Sequence, residues 1–239
     1  MLSKSQIKLI TSLKQKKYRQ DLGFFVVEGV KTIKELLASH LKLHVLYTTE
    51  SFKIDAKDEV LISETDLKRI SFLKTPNKAM AVFEIPKQAP IDTKGLIVAL
   101  DDVRDPGNLG TIIRLCDWFG VKELVCSKAT VDCFNPKVIQ ATMGSITRVN
   151  ISYVDLETFF NDVDLPIYGA FMDGDEVYKI ALPEQGILVM GNEANGVSKT
   201  VEALITEKIT IPRFGDLQAT ESLNVATATA ILLSEFRRG

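Results

Sequence analysis

The chain has 239 residues, of which 46% are hydrophobic and 25% are charged, and its formal net charge is −2. This composition is that of an ordinary globular protein, and the length suits one large or two modest domains. No apolar stretch approaches the ~18–20 residues that a membrane helix needs, so a membrane helix is not predicted. The N-terminus also lacks the apolar segment of a signal peptide. Three cysteines, an odd number, indicate a reducing cytoplasm rather than a disulfide scaffold.

The first part of the chain has the pattern of a small α/β unit. Helices are predicted at 5–20, 30–39 and 64–72, and strands at 24–27, 43–48, 60–62 and 79–85. Because strands alternate with helices, we expect a mainly parallel sheet. Pro86 and Pro90 then resist helix formation, as the prolines of linkers do. This linker predicts one domain at 1–88 and a second at 91–239.

The same alternation continues in the second part. Strands are predicted at 96–100, 123–126, 148–153, 167–171, 187–190 and 209–211, and helices at 109–119, 137–143, 156–161, 199–204 and 223–237. The runs at 96–100 and 187–190 are apolar throughout, which is typical of strands buried on both faces. Asn108, Asn135 and Ser198 stand where helix N-caps are expected.

The two parts differ in charge. Residues 1–90 carry a net charge of +6 and residues 91–239 a net charge of −8. A basic end on an acidic body indicates a surface that contacts nucleic acid. The predicted contacts with RNA phosphates are Lys14, Lys16, Lys17 and Arg19, which lie in a run without acidic residues. Such a run is also typical of the solvated face of an amphipathic helix.

Two polar blocks follow predicted strands of the second part. Residues 105–114 combine a Pro-Gly turn with Asn108, and Arg114 lies about two turns into the following helix. It is either a surface arginine or the partner of an anion. In residues 189–196, Gly191 and Gly196 bound a loop that contains Glu193. This block is neither a dinucleotide fingerprint nor a P-loop, and it is either a ligand loop or a surface turn.

A third block comprises residues 211–212 and 221–225. Ser222 and Asn224 open the last predicted helix, either as part of a site or only as an N-cap. Because all three blocks lie where strand patterns give way to helix patterns, we expect one composite site.

Other chemistries are disfavoured. His40 and His44 have the i, i+4 spacing of some zinc ligands, but no HEXXH glutamate lies between them, and no metal site is predicted. The cysteines lack C-x-x-C spacing and are interpreted as core thiols. Without a G-x-S-x-G elbow, a serine hydrolase is not indicated. The missing dinucleotide fingerprint likewise disfavours an oxidoreductase.

Taken together, the three blocks resemble the motifs of the SpoU-type (TrmH-like) RNA ribose 2′-O-methyltransferases of the SPOUT superfamily. The resemblance covers about residues 95–239, and residues 17–29 are similar to the family's N-terminal substrate-binding domain. In one respect the chain departs from the family pattern. Six residues separate Gly215 from Ser222, which makes this loop longer than the family usually has.

The resemblance implies an α/β fold with a C-terminal trefoil-knot (SPOUT) methyltransferase domain and a small N-terminal α/β RNA-binding domain. It also implies a homodimer formed through the knotted domain, with Arg114 near the partner's pocket. The implied cofactor is S-adenosylmethionine. Its implied binding residues are Met190, Gly191, Gly196, Ile211 and Leu223. The implied catalytic residues are Asn108, Arg114, Glu193, Ser222 and Asn224.

The expected activity is methylation of a ribose 2′-hydroxyl, with ribosomal RNA favoured as substrate because of the separate N-terminal domain. Transfer RNA is the alternative substrate, and a non-catalytic RNA-binding protein of the same fold is the alternative function. In this family, the arginine that Arg114 matches is often assigned as the base. Since a guanidinium does not lose its proton in proteins, we expect Arg114 to stabilise charge instead.

Overall fold

A computed structural model describes residues 2–55, 57–215 and 222–238. It divides into two compact units. The first comprises Met1–Lys87 with Asp132–Thr147, and the second comprises Gln88–Val131 with Arg148–Gly239. In the described part of the chain, no helix is both long and apolar enough to span a bilayer.

The first unit is a sheet with helices, as its sequence predicts. Its elements up to the linker are α1 (Lys4–Ser12), α2 (Lys16–Leu22), β1 (Phe24–Glu28), α3 (Val30–Leu37), β2 (Leu43–Thr48), β3 (Glu59–Leu61), α4 (Glu64–Ile70) and β4 (Ala79–Glu84). The strand order is β1-β4-β2-β3. Strand β4 runs antiparallel to both of its neighbours, and the β2–β3 pair alone is parallel in the described sheet. The prediction of a mainly parallel sheet is therefore wrong for this unit.

The helix predicted at 5–20 is two helices, because Arg19 reaches back into the chain between them. Its Nη1 donates to the carbonyl oxygens of Leu13 and Lys14, at 2.8 and 2.9 Å. Its Nε donates to Asp132 Oδ2 at 2.9 Å, and the Arg19 side chain is only 2% exposed. Carbonyls at the end of α1 thus find a partner in a side chain.

This burial contradicts the expectation that Arg19 contacts an RNA phosphate. Its guanidinium already binds a carboxylate and two carbonyl oxygens inside the protein. A phosphate would have to displace Asp132 and bring its own charge into a buried position, which is unfavourable. Arg19 therefore holds the protein together and is not an RNA contact.

The second part of the chain alternates strands and helices as predicted. Its elements are β5 (Leu96–Leu100), α5 (Pro106–Trp118), β6 (Glu123–Ser127), α6 (Pro136–Thr142), β7 (Asn150–Val154), α7 (Leu156–Asn161), β8 (Ile167–Glu176), β9 (Gly186–Met190), α8 (Lys199–Glu202), β10 (Glu207–Thr210) and α9 (Val225–Phe236). Asn135 caps α6 through a bond from Lys137 N, as expected. The α/β class predicted from the sequence is confirmed.

The sheet of the second unit places two loops side by side. Its order is β10-β8-β9-β5-β6-β7, and each pair is parallel. Strands β5 and β9 are buried at every residue and are neighbours at the centre. Because parallel strands end at the same edge of a sheet, the loops after β5 and β9 meet there, where ligands bind in open α/β folds.

Helix α6 belongs by packing to the first unit, although the predicted boundaries place it in the domain at 91–239. It lies against β1, and the rings of Phe134 and Phe25 are 4.8 Å apart. Gly144 passes so close to Glu35 that a Cβ built on Gly144 would lie 2.9 Å from the Glu35 Cβ. The first unit is therefore assembled from two separate stretches of the chain.

Candidate functional site

A cavity of about 890 Å³ opens at this edge of the second unit's sheet. The chain after β9, the chain after β10 and the start of α9 form its walls, together with the middle of β8. Its lining is mostly apolar or backbone, with few charged groups, as in sites for small organic ligands. Among the lining residues are Phe171, Met172, Met190, Gly191, Glu193, Gly196, Ile211, Pro212, Phe214, Ser222 and Leu223.

The loop after β9 folds back on itself, and Gly191 permits this. Asn192 and Gly196 exchange two backbone hydrogen bonds of 2.9 Å. A Cβ on Gly191 would lie 2.4 Å from the carbonyl carbon of Gly196 and from the nitrogen of Val197, so a side chain there would collide with backbone. The loop is closed further by Asn192 Oδ1, which accepts from the backbone nitrogens of Ala194 and Asn195.

A chain of hydrogen bonds joins the three sequence blocks beside the cavity. Asn108 Nδ2 donates to Glu193 Oε1 at 2.6 Å, and Asn224 Nδ2 donates to Asn108 Oδ1 at 2.9 Å. In sequence, Asn108 is 85 positions from Glu193 and 116 positions from Asn224. This geometry is consistent with the expectation of one composite site, because each sequence block supplies one residue of the hydrogen-bonded series.

The cap of α9 sets the direction of these bonds. Asn224 Oδ1 accepts from the backbone nitrogens of Ala226 and Thr227, so its Nδ2 is left to donate. Asn108 must then accept with its oxygen and donate with its nitrogen. Glu193 consequently faces a donor and serves as an acceptor.

Asn108 is free for this role because it is not the cap of α5. The N-cap is Asp105, whose Oδ1 accepts from the Asn108 backbone nitrogen at 2.8 Å, with Pro106 in the first turn. The predicted cap was therefore wrong, since the aspartate ahead of Asn108 takes that position. In contrast, the block at 221–225 contains a true cap in Asn224.

Arg114 lies on α5 but not in the cavity. It is exposed, and it makes no hydrogen bond or ion pair with any residue that the structure describes. About 9 Å of helix axis separates it from Asn108, given the rise of about 1.5 Å per residue. No residue of the described part of the chain occupies its donors, which a ligand or another molecule would engage.

The structure brings most of the predicted site residues together. The five predicted cofactor contacts, together with Glu193 and Ser222, line the cavity. Asn108 and Asn224 lie in the hydrogen-bonded chain that reaches it, whereas Arg114 does not line it. Glu221 and the rest of the long loop at 216–221 fall outside the described residues. The roles of all these residues stay predictions.

Sequence reasoning missed two residues that hold the loops in place. Asp101 is buried, and its Oδ2 accepts from the backbone nitrogen of Ser198 at 2.8 Å. Asn192 Nδ2 donates to the carbonyl oxygen of Asp102 at 2.8 Å. The signal was present, because a polar residue directly after a buried strand is well placed to join neighbouring loops.

Asp102 has a φ of 58°, which non-glycine residues seldom adopt. Its carboxylate accepts from Arg104 Nε at 2.7 Å, and this hydrogen bond raises the pKa of Arg104. Both side chains thus help to fix the loop after β5.

The other candidate groups lie away from the cavity lining. The three cysteines are buried, and burial raises the pKa of the Cys116 thiol to about 12. Among residues 2–55, 57–215 and 222–238, no three His, Cys, Asp or Glu side chains are grouped as metal ligands. Lys14, Lys16 and Lys17 are exposed, in contrast to Arg19.

We expect Gly191→Ala to destabilise the second unit by about 1–3 kcal/mol, the usual cost of forcing a methyl group into a packed region. Urea unfolding followed by Trp118 fluorescence measures this, because Trp118 lies in the second unit. The control is Gly215→Ala, since no described atom lies within 4 Å of a Cβ there. Equal stability of the two variants would mean that the loop accommodates the methyl group and that the contact is unimportant.

Comparison with known proteins places the chain among RNA methyltransferases. Residues 95–234 match the model of the SpoU rRNA Methylase family, and residues 4–81 match the MRM3-like substrate binding domain. The 23S rRNA (guanosine(2553)-2′-O)-methyltransferase RlmP of Bacillus subtilis is 29% identical, over 94% of this chain and 93% of that protein.

Among the solved structures that are similar over the whole chain are the following two. One, from Porphyromonas gingivalis, is assigned to the TrmH family of RNA methyltransferases; it is 41% identical, with a TM-score of 0.90, and covers 100% of this chain and 99% of its own. The other is an rRNA methyltransferase from Sinorhizobium meliloti with bound AdoMet. It is 30% identical, with a TM-score of 0.89, and covers 100% of this chain and 97% of its own.

Proposed function

Because the chain belongs to the SpoU rRNA methylase family, we propose that it transfers a methyl group from S-adenosylmethionine to a ribose 2′-hydroxyl of ribosomal RNA. The observation that carries the proposal is the hydrogen-bonded chain from Asn224 through Asn108 to Glu193 at the edge of a ligand-sized cavity. It joins the three sequence blocks at one place. The match of residues 4–81 to a substrate-binding domain supports RNA as the substrate.

The cavity suits the cofactor in size and chemistry. Its volume of about 890 Å³ lies within the range of small-molecule sites, roughly 300–1,000 Å³. Met190, Ile211 and Leu223 would pack against the apolar parts of the cofactor, and the loop bounded by Gly191 and Gly196 would offer backbone groups to its polar parts. When bound, S-adenosylmethionine supplies an electrophilic sulfonium methyl group.

The protein's part in the reaction is to orient the ribose and to stabilise charge on its oxygen. Glu193 Oε1 accepts from Asn108, and no donor in the described part of the chain occupies its second oxygen, which would accept from a ribose hydroxyl. Arg114 remains cationic and would either stabilise the alkoxide that forms as the proton leaves or hold a neighbouring phosphate that takes the proton.

Arg114 would complete the site in a homodimer. It lies outside the cavity lining, on a helix face that also carries Trp118, which is 81% exposed. An exposed tryptophan beside an arginine without a described partner is suited to an interface, where both residue types are enriched. A second copy of the chain would cover Trp118 and receive Arg114 near its own cavity. Sedimentation of the purified protein tests this arrangement.

The second unit would contain the trefoil knot of the SPOUT superfamily. A knot needs backbone to pass closely over backbone, and Gly174 permits one such approach between β8 and β10. A Cβ on Gly174 would lie 2.5 Å from the carbonyl carbon of Lys208. The domains proposed are 1–88 for RNA binding and 91–239 for methyl transfer, except that residues 132–147 pack in the first unit. The buried thiols support a reducing cytoplasm.

Methyl transfer is tested with ribosomal RNA from cells with and without the protein. We expect one or more ribose 2′-O-methyl groups to be missing without it, and the purified protein to restore them in extracted RNA with S-adenosylmethionine. Restoration in transfer RNA alone would favour the alternative substrate. Cofactor binding without methylation of any RNA would favour a non-catalytic RNA-binding protein.

We expect the protein to bind S-adenosylmethionine without RNA, because the cavity is formed by the chain itself. Calorimetry measures the affinity, and Leu223→Ala should weaken it roughly tenfold, since an exposed leucine that the bound cofactor partly covers contributes about 1.4 kcal/mol of apolar contact. The matched control is Leu61→Ala, an exposed leucine of the first unit. Absence of heat and of a thermal shift at millimolar cofactor would refute the pocket assignment.

We expect the exposed lysines 14, 16 and 17 to contact RNA phosphates. Replacing Lys14, Lys16 and Lys17 with Ala should weaken RNA binding and reduce the salt slope by roughly 1 for each lost contact. The control replaces three exposed lysines of the acidic second unit, Lys94, Lys122 and Lys199, and removes the same charge. If both triple variants bind RNA with the same affinity, Lys14, Lys16 and Lys17 are only solvated surface lysines.

A further inference from the structure

The first unit contains a second concave site, remote in sequence from the motifs. It is a cavity of about 350 Å³ between α3 and the loops that follow β2 and precede β4. Lys34, Phe52, Lys53 and Lys78 line it, together with Glu50. We call this site the lysine cleft.

The lysine cleft carries net positive charge. Lys78 Nζ is paired with Glu50 at 2.7 Å, and both side chains are exposed. In the described part of the chain, no carboxylate is paired with Lys34 or Lys53. The cleft therefore offers two uncompensated ammonium groups and a third held by a solvent-exposed and weak ion pair.

Two of these lysines have an unfavourable backbone conformation. Lys53 has a φ of 60° and Lys78 a φ of 48°, and they are two of the four non-glycine residues with positive φ among those described. Glycine or asparagine is favoured in this region, and another residue there costs roughly 1 kcal/mol or more. Backbone geometry thus does not favour lysine at either position, and such conformations cluster at functional sites.

Phe52 gives the lysine cleft an aromatic surface whose position is fixed. Its backbone nitrogen donates to Glu59 Oε1, and the other oxygen of Glu59 accepts from Ser51 Oγ at 3.0 Å. The ring is half-buried, and Lys34 Nζ lies over one of its faces, 5.7 Å from the centroid, so a base would stack on the ring beside this ammonium group or in its place. An aromatic face bordered by cations is the combination that binds unpaired nucleotides, because the ring stacks on a base and the cations meet phosphates.

We propose that the lysine cleft binds one unpaired nucleotide of the RNA substrate, with its base against Phe52 and its phosphates among Lys34, Lys53 and Lys78. This rests on the proposed function, because it assigns the RNA contact of the same enzyme. The small volume suits a single nucleotide and not a duplex, whose bases are stacked and paired. The cleft thus selects a loop or bulge, in addition to any phosphates that Lys14, Lys16 and Lys17 contact.

The decisive variant is Lys53→Gly, which separates an effect on RNA affinity from an effect on folding stability. Glycine relieves the backbone conformation, so the variant should be at least as stable as the wild type. Its affinity for a short single-stranded RNA should nevertheless fall severalfold, and the salt slope should drop by about 0.7 for one lost phosphate contact. Fluorescence anisotropy with a labelled oligonucleotide measures both without requiring methyl transfer, so the result stands even if the proposed reaction fails.

Phe52 and a control complete the experiment. Phe52→Leu should lower the affinity for the single strand about tenfold or more, while binding of a hairpin that pairs the same sequence changes little. The control, Lys68→Ala, removes a lysine from the exposed face of α4 without placing glycine in a helix, and it should leave RNA affinity near the wild-type value. Unchanged binding in Lys53→Gly and Phe52→Leu would overturn the proposal, as would a loss shared equally by Lys68→Ala.

Discussion

Arg114→Lys is expected to lower the rate of methyl transfer roughly 10²–10³-fold while leaving the affinity for S-adenosylmethionine nearly unchanged. The magnitude is that of losing one charged donor at a developing oxyanion. Lysine keeps the charge but not the planar, two-pronged donor of a guanidinium, which is what a phosphate or an alkoxide would engage. Because Arg114 lies outside the cavity lining, the cofactor contacts are preserved.

Single-turnover methylation and calorimetry, performed in parallel, separate the possible roles of Arg114. An interaction made mainly in the transition state lowers kcat and kcat/KM equally. Arg238→Lys, an exposed arginine beyond α9, is the control and should behave as the wild type. Near-normal methylation by the Arg114 variant would refute the geometric role. A collapse of cofactor affinity would mean that Arg114 shapes the pocket or the dimer.

Arg19→Met should destabilise the first unit by about 3–5 kcal/mol. Removing one member of a buried ion pair leaves the other charge without compensation, and Asp132 would be that charge. The carbonyl oxygens of Leu13 and Lys14 would lose their donor as well. Since domains are stable by only about 5–15 kcal/mol, much of the stability of this unit depends on one residue.

Hydrogen exchange of β1 and β4 measures this loss in the first unit alone, whereas Trp118 fluorescence follows the second unit. Lys17→Met is the control, since Lys17 is exposed and surface substitutions usually change stability by less than about 0.5 kcal/mol. Replacing Arg19 and Asp132 together by Met and Leu should recover part of the loss. Equal exchange in Arg19→Met and the wild type would show that the pair is unimportant to stability.

The family was predictable because its motifs are local in sequence. Each block combines a buried strand, a polar turn and a helix start within a few residues, and the match of residues 95–234 confirms the family. The parallel sheet of the second unit was also predictable, since β5 and β9 are apolar throughout, as strands covered on both faces must be.

Features that depend on distant partners were not predictable. The alternation of strands and helices does not encode the direction in which β4 enters its sheet. The burial of Arg19 depends on Asp132, 113 positions away. The error at Asn108 was local and avoidable, because Asp105, three positions earlier, takes the cap position. The lysine cleft had no signal in sequence, because positive φ at Lys53 and Lys78 appears only in the folded chain.

The composition of the first unit from two stretches of chain has a consequence for its synthesis. Its last stretch ends at Thr147, which is 60 residues after Lys87. A ribosome that adds about 5–20 residues per second needs about 3–12 s to make that interval. Asp132 is the 45th residue of that interval, so for about the first three-quarters of this time Arg19 has been translated and its carboxylate partner has not. The N-terminal unit, although first in sequence, therefore cannot reach its final packing until the middle of the protein has emerged, and a fragment ending near residue 88 would lack that partner altogether.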